Sequence, residues 1–86
     1  MNSAQRIDLI KERLQHAFSP MHLELIDDSE KHRGHVGNQG GAGHYTLKIS
    51  AACFQNMARL EAHRKIYAVL SDLIPNEIHA LQIKVF

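Results

Sequence analysis

Apolar residues recur at helical spacing at the start of this chain. Ile7, Ile10, Leu14, Ala17 and Phe18 fall three or four residues apart with a one-residue step at the end, and Arg6, Asp8, Lys11, Glu12 and Arg13 cover the remaining surface. That period predicts an amphipathic helix over about residues 4–17. Ser3 is its candidate N-cap, and Pro20 ends it because the residue before a proline disfavours helix. The period then changes to two. Residues 22–28 put Leu23 and Leu25 on one face and Glu24 and Ile26 on the other, and Tyr45, Leu47 and Ile49 alternate with Thr46, Lys48 and Ser50. Two consecutive strands are expected here, paired antiparallel.

A second helical stretch is expected over about residues 57–73, with Asn56 as cap. Its stripe is Met57, Leu60, His63, Tyr67, Leu70 and Ile74, widened by Ile66 and Leu73. Pro75-Asn76 reads as a turn. A last strand, Ile78 to Val85, carries Leu81, Ile83 and Val85 on one face, and simple alternation adds His79 to them. The order α-β-β-α-β predicts an α+β fold: a three-stranded mixed sheet with two helices on one face. The strand–helix–strand segment is a crossover unit, so the last strand should run parallel to the second. Their starts then share one sheet edge. That places His79 beside His44 and beside the segment bearing His32 and His35, so four histidines distant in sequence converge on one rim.

That segment sharpens the picture. Ser29 to His44 reads SEKHRGHVGNQGGAGH and holds all five glycines and three of the seven histidines of the chain. Loops of this length within small domains are usually functional or disordered, and imidazole is both the commonest metal ligand and the side chain that titrates near neutral pH. A stable zinc site needs three or four protein ligands; His32, His35, His44 and His79 could supply them, but no cysteine joins them. Read singly, His79 is a strand-end histidine capping the core, and His63 packs against the sheet. Asp27 and Asp28 make a strand-end turn with Ser29. Cys53, among Ala51, Ala52 and Phe54, reads as a buried thiol acting as a small apolar residue. An iron–sulfur cluster takes four thiolates, or two thiolates and two histidines, so this chain has at most half a site, to be completed by a partner.

Size and charge exclude more than they assign. Eighty-six residues make a single domain, 1–86. Apolar residues are 44% and charged residues 22% of the chain, ordinary for a globular protein. A net charge of +1 announces neither a nucleic-acid nor a membrane partner. The opening residues interleave acids and bases, so no secretory signal is expected, and one cysteine points to a reducing, cytoplasmic setting. Gly-x-x-Gly occurs three times in the glycine segment, as chance allows there. No phosphate loop, nucleophile elbow or His-Glu-x-x-His motif occurs, and a non-enzyme is expected.

Taken together, the chain resembles the BolA family across nearly its whole length. The matching pieces are Asp28-Ser29-x-x-His32, His44-Tyr45-Thr46-Leu47-Lys48-Ile49, Phe54, His63-Arg64-x-Ile66-Tyr67 and Ile78-His79-Ala80-Leu81. The resemblance implies a class II KH-like fold. It also implies a monothiol glutaredoxin as heterodimeric partner, sharing a [2Fe–2S] cluster for which the glutaredoxin side brings a cysteine and glutathione. This chain would contribute His79 and, by alignment, His32, with His35 a nearby competitor. No cofactor is expected when it is alone. The implied role is cluster assembly, trafficking or iron-linked regulation; the alternative is a KH-like, DNA-binding transcriptional regulator. Two departures, Asn56 where the family often has glycine and Ala62 where it often has arginine, weaken any strongly basic face on the second helix. The chain also stops at Phe86, without the C-terminal tail some members carry.

Overall fold

The computed structural model describes residues 2–28 and 43–86. Helix α1, Ser3–Phe18, opens with a capping box: the Asn2 side chain accepts from the Gln5 backbone N–H at 2.8 Å, and the Gln5 side chain accepts from the Asn2 N–H at 2.9 Å. Asn2, not Ser3, is therefore the cap; the Ser3 hydroxyl instead donates to Asp27 Oδ2 at 2.9 Å. Ser19 closes the helix in the left-handed conformation.

Strands β1, His22–Asp27, and β2, Gly43–Ser50, pair antiparallel, and β3, Ile78–Val85, pairs parallel with β2, giving the order β1-β2-β3. The mixed three-stranded sheet follows the sequence expectation, including the crossover. Partnered residues share a face, so Leu23, Leu25, Tyr45, Leu47, Ile49, Leu81, Ile83 and Val85 line one side. Tyr45, Leu47 and Ile49 are buried there in one cluster with Ile10 and Leu14 of α1 and with Ala62, Ile66 and Leu70. Fully burying each of the large aliphatic members is worth roughly 1.5–3 kcal/mol.

The second helix is shorter than its pattern suggested. A single 3₁₀ turn, Ala52–Phe54, precedes α2, Arg59–Val69, and another, Ser71–Leu73, follows it. Ala58, not Asn56, occupies the cap position, without a side-chain hydrogen bond. The buried stripe is also rotated. Ala62, Ile66, Leu70 and Leu73 face the sheet, while Leu60 is 61% exposed and Tyr67 hangs at the edge, its hydroxyl donating to the Leu81 carbonyl at 2.9 Å. Two overlapping stripes with spacings of three and four were available in this sequence, and the crossover geometry selects the one that starts at Ala62. Cys53 corrects a further expectation: it is exposed. The buried residue of its 3₁₀ turn is Phe54, whose ring packs on Phe18 at 4.9 Å between centroids.

Candidate histidine site

The parallel pairing of β2 with β3 sets their first residues side by side. One irregularity interrupts that pairing: Gly43 partners Ile78, but His44 partners Ala80, so His79 is an extra residue on β3. A bulge of this kind re-aims a side chain and moves everything before it to the other face. Ile78 is thereby fully buried, although it is out of phase with Leu81, Ile83 and Val85. His79, which strict alternation would put with those three, is exposed instead. Its ring lies 4.9 Å from that of half-buried His44, with 37° between the planes. The reading of His79 as a core cap is thus corrected, and the reading of His44 and His79 as rim neighbours holds.

Both ends of the glycine–histidine segment are anchored at this rim. The Asp28 N–H donates to the His44 carbonyl at 2.7 Å, the Thr46 hydroxyl donates to Asp28 Oδ2, and the Gly43 N–H donates to the Glu77 carbonyl at 3.0 Å. His32 and His35 lie between these anchors, outside the described residues. Among the described residues no group of three or more His, Cys, Asp or Glu side chains is arranged to hold a metal ion.

Beneath the rim sits a charged brace that sequence reasoning passed over. The sequence pattern puts Arg6 on the solvent face of the first helix, but it is buried, 8% exposed. Its Nε donates to Glu77 Oε2 at 2.9 Å. Burial works against the guanidinium charge, but the neighbouring Tyr45 hydroxyl and the hydrogen-bonded Glu77 carboxylate outweigh it and hold the Arg6 pKa above its usual value. Burial likewise pushes the Tyr45 hydroxyl up, against the opposing pull of Arg6. The Tyr45 ring folds back so closely over Gly43 that no Cβ would fit there. A signal for Arg6 existed, since residues 6, 10 and 14 share one helical face and Ile10 and Leu14 are fully buried.

The remaining candidates lie elsewhere. His63 lines a cleft between α2 and β3 with Arg59, Ile83, Lys84 and Val85, and its Nε2 is buried without a hydrogen-bond partner among the described residues. Cys53 follows the far end of β2, away from the rim. No helix among the described residues is long and apolar enough to cross a membrane.

Comparisons with known proteins agree on one lineage. The family model described as BolA-like protein matches residues 14–86. The chain is 37% identical over 79 residues to SufE-like protein 1, chloroplastic/mitochondrial, of Arabidopsis thaliana, covering 86% of this chain but 21% of that protein. It is 30% identical over 78 residues to the DNA-binding transcriptional regulator BolA of Haemophilus influenzae, covering 91% of this chain and 73% of the relative. Among solved structures, the BolA domain of SufE1 from Arabidopsis thaliana superposes with a TM-score of 0.81 at 33% identity, covering 99% of this chain and 92% of that one. BolA1 from the same plant gives 0.78 at 28%, covering 93% and 88%. The chain thus spans about a fifth of the SufE-like protein and most of the bacterial regulator. With the family model matching most of its length, this chain belongs to the BolA-like family.

Proposed function

We propose that this protein acts without catalysis, as a partner of a monothiol glutaredoxin with which it shares a [2Fe–2S] cluster. His79 and one of His32 or His35 would be its ligands. The observation that supports this most is His79 itself: a bulge lifts one imidazole out of an otherwise regular strand and leaves it exposed at the rim where the glycine–histidine segment begins and ends. The donor set fits the group. Two imidazoles can replace two thiolates on one iron of such a cluster, and the missing thiolates would come from the glutaredoxin and glutathione. When bound, the cluster supplies transferable iron and sulfide and a one-electron redox couple. What this chain contributes is an oriented, accessible imidazole on a rigid strand. A reducing cytoplasm suits the role, because the exposed Cys53 has no partner cysteine in the chain.

The test is anaerobic co-purification with a monothiol glutaredoxin and glutathione, followed by visible spectroscopy. His79→Ala should alter the absorption of the shared cluster, and either His32→Ala or His35→Ala should do the same. An unchanged spectrum in the His79 variant overturns the assignment.

A second reading, a DNA-binding regulator, is favoured by the name of the Haemophilus influenzae relative and by Arg59 and Lys84 flanking the α2–β3 cleft. Phosphate contacts would make DNA affinity fall steeply with salt; absence of binding at low salt removes this reading. The two roles are compatible, since a shared cluster can switch a regulator.

A further inference from the structure

The geometry points to Arg6 as a positioning residue for the histidine rim: through Glu77 it holds the bulge that presents His79 beside His44. The inference rests on the reading of His79 as a cluster ligand.

Glu77 is the last residue before β3 and is clamped from three directions. Its carboxylate accepts from Arg6 Nε at 2.9 Å, which ties it to the first turn of α1. Its N–H donates to the Leu73 carbonyl at 2.8 Å, and its own carbonyl accepts from the Gly43 N–H at 3.0 Å. The next residue, Ile78, is fully buried, and the one after that is the bulged His79. With Glu77 tied down and Ile78 anchored in the core directly before it, His79 has little freedom to slip back into regular register. Regular register would carry its ring to the helix-covered face. Of the two hydrogen bonds of the Glu77 backbone, one goes back to the 3₁₀ turn Ser71–Leu73 and one goes across to the start of β2. The Arg6 contact is the one that ties the strand start to the first helix. Tyr45 closes the arrangement from below: its ring fills the space over Gly43 and its hydroxyl lies under the influence of the same guanidinium.

A partly buried ion pair is weak evidence for stability in its own right, because desolvation offsets much of its attraction. A role in holding one geometry is where such a pair acts, and here that geometry is the direction of His79.

The test compares Arg6→Met with Ile66→Val, a trim of the core on α2 that also lowers thermal stability. In the protein alone, two-dimensional NMR reads the cross-peak between the His44 and His79 rings; in the glutaredoxin pair, visible and circular-dichroism spectra read the cluster. We expect Arg6→Met to lose the ring-to-ring cross-peak and to weaken cluster-dependent association about tenfold, the scale seen when residues that orient metal ligands are removed. Ile66→Val should leave both readouts unchanged, and Arg6→Lys, which keeps the charge, should restore part of each. If Arg6→Met does not fold, Glu77→Gln removes the charge from the other side and is read the same way. A retained cross-peak in the Arg6 or Glu77 variant, or an equal loss in Ile66→Val, overturns the inference. The two readings fail separately. If His79→Ala leaves the cluster spectrum unchanged while Arg6→Met loses the cross-peak, the cluster assignment falls and the positioning role stands. The reverse pattern removes the positioning role alone.

Discussion

Gly43→Ala places one methyl group where the structure has no room for it. An ideal Cβ there would stand 2.3 Å from the Tyr45 hydroxyl oxygen and 2.4 Å from Cε2 and Cζ of the same ring. Ordinary carbon contacts begin near about 3.5 Å, so the ring must move by roughly 1 Å. Tyr45 is 2% exposed, and its neighbours are packed at crystal-like density. Overpacking of such a site costs about 1–3 kcal/mol. Full expulsion of the ring sets a ceiling: about 150–250 Å² of buried aromatic surface at about 25 cal/mol/Å² is about 4–6 kcal/mol. Gly43 lies in strand backbone that alanine also adopts, so the substitution gains about 0.4–1 kcal/mol by restricting the unfolded chain. Steric cost exceeds that gain, and we expect a net loss of about 1–2 kcal/mol. The assay is a double-mutant cycle by urea unfolding. Tyr45→Ala alone should cost about 3–5 kcal/mol. In that background Gly43→Ala has nothing to strike and should be neutral or slightly stabilising, a coupling energy of about 2–3 kcal/mol. A Gly43→Ala effect within about 0.5 kcal/mol of zero, or one that is the same with and without the Tyr45 ring, refutes the reasoning.

Two further outcomes test other parts of the structure. Cys53 should react fully with a thiol reagent in the native protein, and Cys53→Ser should change stability by less than about 0.5 kcal/mol, as for an ordinary surface position; slow labelling that tracks global unfolding would restore the buried thiol. Asp72 accepts from Arg13, and that hydrogen bond holds its pKa below the usual carboxylate value. A depressed carboxylate pKa contributes stability that is present above the unfolded value and lost as pH falls through the folded one. Asp72→Asn should therefore flatten the acid limb of the stability curve below the ordinary aspartate range, and an unchanged limb would show the pair to be inert.

The elements legible in the sequence were those whose pattern had one interpretation. Strand β2 alternates cleanly, and a single period-two pattern allows one choice of inner face, so Tyr45, Leu47 and Ile49 were identified as one face from the sequence alone. Helix α2 is less legible because Met57, Leu60, His63 and Tyr67 form as regular a stripe as Ala62, Ile66, Leu70 and Leu73. Only the partner surface distinguishes them. Arg6 is illegible for a different reason: charge argues for solvent, and the compensating carboxylate, Glu77, is 71 residues away.

What the sequence by itself determined was the order of elements, the direction of every strand and the family. These follow from local periodicity, crossover handedness and short motifs, all of which are properties of nearby residues. The proximity of His44 and His79 followed in outline from the same topology. What the tertiary structure alone decided was the direction of His79. A one-residue bulge has no local signature in Ile78-His79-Ala80-Leu81. It exists because Ile78 must reach the core while Leu81 keeps its own place in it, and because Glu77 is held by a helix from the other end of the chain. Pairing between strands, rather than the pattern along one of them, turns that imidazole outward.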